Sequence, residues 1–159
     1  MLSSGDTFLI PERTDGTEHL YVVLTDPEPG SNRAVCVNFT GKTVYSDTTL
    51  VLNVGDHPFI TKETVVFYQR AKFLNLSAVE AALNAHTNGI VCKPHDPCDG
   101  PLLERIRDGL LRSKLTPKDI KRYCEAAWRV APAAPERAVP VPTRLNPPIR
   151  PVSPRPTQA

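Results

Sequence analysis

Two titratable stretches interrupt the apolar first half of this chain, and chemistry would be sought there first. Glu18-His19 opens one apolar run, and Gly55-Asp56-His57-Pro58-Phe59 follows another. Histidine titrates near neutrality, so either imidazole could take or give a proton in a reaction at an electrophilic centre. Asp56 adjoins His57 in a loop tied by Gly55 and Pro58. Sequence neighbours seldom bond side chain to side chain, so no dyad is implied, and Asp56 could simply shape the turn through an Asx-type bond. The Lys42 ammonium could hold a phosphate as a point charge, and the Tyr68 phenol could offer a hydroxyl. A plain structural role is open to both, as a surface lysine and a core-edge tyrosine.

Cysteine and histidine form a second cluster. Cys92, His95 and Cys98 give a C-x2-H-x2-C spacing, with His86 upstream and Cys124 downstream as further donors. Zinc takes four thiolate or imidazole ligands in a tetrahedron, but established patterns pair two such elements and this chain has one. Free thiols in an inter-helix loop are therefore expected, and no metal is assigned to the site. Cys36 lies within an apolar run and reads as a small buried hydrophobe. No phosphate loop, dinucleotide fingerprint, nucleophile elbow or metalloprotease helix occurs, so no cofactor is expected.

These residues need elements to position them. Between Gly5 and Leu74 five short apolar runs alternate with polar turns: Thr7–Ile10, His19–Thr25, Ala34–Phe39, Thr49–Val54 and Thr64–Phe73. Such spacing predicts a compact antiparallel β structure rather than a helical bundle. His19–Leu24 is rich in β-branched and aromatic side chains and nearly continuous in apolar residues, so both of its faces should be covered. Thr64–Phe73 reads as one strand with Arg70 and Lys72 turned outward. The period then becomes helical. Ser77 and Glu80 form a capping box, and the helix they open should stop near Asn88-Gly89. Pro101 opens a second helix with a stripe of Leu102, Leu103, Ile106, Leu110 and Leu111. Thr116-Pro117 caps a third, with Ile120, Tyr123, Cys124, Ala127 and Trp128 inward.

From Ala131 onward nine of the remaining residues are proline, which predicts a disordered tail of polyproline II character. Pro151-Val-Ser-Pro154 has PxxP spacing, which arises easily by chance in such a stretch. The expected organisation is a β domain over 1–74, a helical extension over 75–130 packed on it, and a disordered Pro/Arg-rich tail over 131–159. With 159 residues, the chain suits one domain with a real core. No apolar run approaches the roughly 18 residues that span a bilayer. The first residues carry neither a basic start nor an apolar stretch, so the cytoplasm is the default expectation. Net charge is +2, and the tail holds Arg137, Arg144, Arg150 and Arg155 against Glu136, leaving the body near neutral. That balance does not suit strong nonspecific nucleic-acid binding. A local patch could still form from Arg13, Arg33, Lys42, Lys62, Arg70 and Lys72.

The order of motifs resembles the PemK/MazF-like toxins. Gly5-Asp6 leads into the first strand, and a loop ends at Glu18-His19 before Tyr21-Val-Val-Leu24. Val35-Cys-Val-Asn-Phe-Thr40 resembles the family's third strand with its terminal Ser/Thr, and Leu50-Val-Leu52 and Lys72-Phe73-Leu74 follow. The likeness covers about 70 residues, and none of its motifs is rare alone. It implies an α+β, mostly β fold: a small SH3-like antiparallel barrel followed by two or three helices and the tail. It also implies a metal-independent endoribonuclease acting on single-stranded RNA, working as a homodimer and silenced by an antitoxin protein, with no membrane involved. Where the family has an arginine before its second strand, this chain has His19. By resemblance, His19 or His57 would transfer protons, Thr40 would assist the attacking hydroxyl, and Lys42, Asp56 and Tyr68 would contact substrate. The alternative is a non-catalytic SH3-like module that binds nucleic acid or a peptide, since fold does not fix function.

Overall fold

The second run, so rich in β-branched residues, becomes an inner strand of a sheet buried on both sides. The computed structural model describes residues 1–12, 14–85 and 92–129. The expected tail, Arg13, His86 and the Asn88-Gly89 stop lie outside the described residues. Among them the chain is α+β, with seven strands and three helices. The strands are β1 (Thr7–Pro11), β2 (Glu18–Val23), β3 (Arg33–Gly41), β4 (Val51–Leu52), β5 (Thr64–Val66), β6 (Lys72–Asn75) and β7 (Lys93–His95). The helices are α1 (Leu76–Asn84), α2 (Gly100–Arg112) and α3 (Lys118–Arg129). Met1–Ala127 holds together as one unit.

The strands run antiparallel in the order β4-β5-β3-β2-β1-β7, with β6 also on β3. The sheet is open, so the closed barrel expected from the sequence is not what this strand order shows. Long β3 organises it. One edge of β3 pairs with β2, with Tyr21 opposite Asn38 and Val23 opposite Cys36. The other edge is shared, with β6 along Arg33–Cys36 and β5 along Phe39–Gly41. Val22 and Val23 point to opposite faces of β2 and are both fully buried, so both faces are covered there.

The run Thr64–Phe73 is not one strand. It breaks at a 3-10 turn, Tyr68–Arg70, between β5 and β6. The cause is Tyr68, which is fully buried and whose hydroxyl donates to the Ile106 carbonyl of α2 at 2.8 Å. A tyrosine buried this deeply needs a partner for its O–H, and the chain must leave the ladder to reach one. A second departure is β7. The Cys/His loop contains a strand that pairs with β1, placing His95 opposite Thr7 and Lys93 opposite Leu9.

The helices start differently from the sequence reading. Asn75, not Ser77, caps α1 by accepting from the Ala78 amide. Ser77 instead bonds Asn32, and Glu80 accepts from the Leu2 amide at 3.3 Å. α1 buries Leu76 and Val79 against Phe8, Val23, Ala34 and Cys36. Asp99 caps α2, whose Leu102, Ile106 and Leu110 are buried as the stripe predicts. The Thr116 hydroxyl donates back to the Leu110 carbonyl at 2.8 Å. Ile120 and Cys124 are buried on α3, while Ala127 is exposed.

Candidate functional site

His19 enters the site from β2. Its register partner on β1 is Ile10, and its half-buried ring lies with Nε2 at 3.5 Å from the Glu12 carboxylate. Thr40 comes from the far end of β3, where Gly41 ends the strand. The two side chains share one groove of about 350 Å³, lined also by Thr17, Glu18, Phe59 and Lys62. Glu18 reaches the Lys93 ammonium at 3.1 Å on the β7 side.

The cation of this groove is Lys62, not Lys42. The Lys62 side chain crosses Gly41 so closely that a Cβ there would stand 3.2 Å from its Cε and 3.4 Å from its Nζ. Gly41 therefore leaves room for an ammonium beside Thr40. Among the described residues Lys62 makes no ion pair. Lys42 is turned to Glu63, with Nζ at 3.4 Å from its carboxylate. The sequence holds Lys62 only as one charge among six. Its placement follows from the pairing of Gly41 with Thr64, which no local pattern reveals.

His57, Asp56 and Tyr68 stand away from the groove. His57 is 4% exposed, and both ring nitrogens face backbone: Nδ1 accepts from the Phe59 amide at 3.1 Å, and Nε2 meets the Asp96 carbonyl at 2.7 Å. Asp56 accepts from the Asn53 amide at 2.7 Å and from Arg105 of α2 at 3.1 Å. The Asn53 amide chiefly, with the Arg105 guanidinium adding to it, holds the Asp56 carboxyl below the usual carboxylate range. Tyr68 is in the core, and burial pushes its phenol up. The structure thus brings together His19 and Thr40, and it gives the Asp56 carboxylate and the Tyr68 hydroxyl partners elsewhere in the fold.

Thr40 and Gly41 also wall a second, more apolar recess of about 250 Å³, formed with Tyr45, Val65, Phe67 and Leu115. Beside it the turn Thr43–Ser46, pinned by the Thr43 amide on the Ser46 hydroxyl at 2.8 Å, presents Val44 at 90% and Tyr45 at 93% exposure.

The cysteines are buried and unpaired. Burial pushes the thiols of Cys36, Cys98 and Cys124 up to about 12, and raises that of Cys92. His95 Nδ1 accepts from the Asp96 amide at 2.8 Å. Among the described residues no three His, Cys, Asp or Glu side chains converge as a metal site, and no helix is long and apolar enough to cross a membrane. A scan against protein-family models and a search of curated proteins found no match for this chain.

Proposed function

We propose that the His19–Thr40 groove cleaves single-stranded RNA without a metal, in the manner of the PemK/MazF-like toxins. In this reading the sheet wrapped on β3 is an SH3-like barrel core. One observation carries the proposal: an imidazole, a hydroxyl and an ammonium line a single groove of about 350 Å³. Phosphodiester transesterification needs a base for the 2′-hydroxyl proton and positive charge on the phosphorane oxygens. The His19 imidazole takes that proton, the 2′-oxygen bonds phosphorus, and the bond to the 5′-oxygen breaks. Lys62 and the Thr40 hydroxyl hold the non-bridging oxygens, and the departing 5′-oxygen takes a proton from water. The products are a 2′,3′-cyclic phosphate and a 5′-hydroxyl end. Single-stranded substrate suits the step because an unstacked backbone can reach in-line geometry. A second copy of the chain and an antitoxin protein are the partners of this reading.

The test is expression of the full chain in a bacterial host, followed by growth and total RNA integrity, beside His19→Ala and Lys62→Ala. Growth arrest with RNA carrying cyclic phosphate ends, relieved by each substitution, is the expected result. Intact RNA in the wild type would sink the proposal.

The exposed Val44-Tyr45 turn beside an apolar recess favours a second reading, a non-catalytic binding module. It would show as ligand binding that tolerates His19→Ala but not Tyr45→Ala.

A further inference from the structure

His57 joins the groove wall to the far edge of the sheet through both of its ring nitrogens. The Phe59 N–H donates to Nδ1 at 3.1 Å, so Nδ1 carries no proton and Nε2–H is the donor to the Asp96 carbonyl at 2.7 Å. That carbonyl also accepts from the Thr7 hydroxyl of β1 at 2.7 Å, which fills both of its lone pairs. The chain folds back immediately, with the Ile60 amide donating to the His57 carbonyl at 2.9 Å. The ring is wedged between Phe39, at a centroid distance of 6.3 Å, and His95 at 5.4 Å. Phe59 stands edge-on to the same His95 ring at 5.8 Å.

An imidazole buried in this way has no nitrogen left for a ligand. What it controls is the turn that follows, and that turn supplies Phe59, Thr61 and Lys62 to the groove. We infer that His57 is a positioning residue of the groove: through the 57–62 turn it holds Phe59 on His95 and the Lys62 side chain across Gly41, beside Thr40. The inference concerns the wall itself, and it stands whether the groove cleaves RNA or only binds it.

Nuclear magnetic resonance on the full chain tests this without any ligand. In the wild type, nitrogen-15 shifts should show His57 protonated at Nε2, and the Phe59 amide should exchange slowly. A ring protonated at Nδ1 would overturn the inference with no variant needed. His57→Asn keeps an acceptor near the Nδ1 position, and His57→Gln keeps a donor near the Nε2 position. At a temperature where each variant remains folded, His57→Gln should lose Phe59 protection and the contact between Lys62 methylene and Gly41 α protons. His57→Asn should retain both. A Lys62–Gly41 contact that survives in His57→Gln, or vanishes equally in both variants, means that His57 does not set this wall.

Discussion

Asp56 and His57 are neighbours in sequence whose side chains do unrelated work. Asp56 closes the Asn53–Asp56 turn and ties it to Arg105, while His57 faces the other way, to Asp96. The Asp56 carboxyl sits low because the Asn53 amide and then Arg105 favour its charged form. A group whose folded-state value is depressed contributes stability that is present above its unfolded value, near 4, and is lost as pH falls through the folded one. Wild type should therefore exceed Asp56→Ala in stability at neutral pH. Urea denaturation at a series of pH values should show that gap shrinking steadily from about pH 5 downward. A gap independent of pH would mean that the ionised carboxylate plays no part in the turn. At this scale His19 was legible in the sequence because it opens an apolar run, whereas Thr40 was reached only through the order of motifs. Lys62 was not, because Gly41, which its side chain crosses, lies 21 positions away in sequence.

The break between β5 and β6 is the element-scale feature that local pattern concealed. Thr64–Phe73 has the composition of one strand, and nothing within it says that Tyr68 must find an acceptor in α2. β7 was hidden for a related reason: Lys93-Pro-His95 has no β-prone composition, and only β1 opposite makes it a strand. The helices were legible, because the α2 stripe depends on spacing alone. Tyr68 and Gly109 then form a testable joint. A Cβ on Gly109 would collide with the Tyr68 hydroxyl, so α2 can approach the 3-10 turn only if that position is bare. Gly109→Ala should destabilise the protein by about 2–3 kcal/mol through overpacking. Tyr68→Phe should cost about 0.5–1.5 kcal/mol, the net worth of one intramolecular hydrogen bond. In a Tyr68→Ala background the added methyl meets a cavity, so Gly109→Ala should become much cheaper there. The double-mutant cycle should show a coupling of about 1 kcal/mol or more, whereas additive effects would separate the two residues.

For the whole molecule, the sheet is covered on both faces along β2 and β3, and the four thiols report how often the packing opens. Cys36 lies on β3, Cys92 and Cys98 flank β7, and Cys124 is on α3, so they sample quite different parts of the packing. Burial raises Cys36, Cys98 and Cys124 to about 12, which leaves little thiolate at pH 8, and the thiolate is the nucleophile. Alkylation in native buffer therefore has to wait for an opening that both exposes the sulfur and restores an ordinary ionisation. Where openings are cooperative, the three should label at one common slow rate, and that rate should climb with urea along the unfolding curve. Burial raises the Cys92 thiol without the large shift of the other three, so Cys92 should label faster than they do. Mass spectrometry of timed iodoacetamide reactions separates the four sites. Labelling of Cys98 well ahead of Cys36 and Cys124 would show that the β7 edge opens on its own. Because Asp96, whose carbonyl holds His57, directly follows β7, such an opening would also release the wall of the groove.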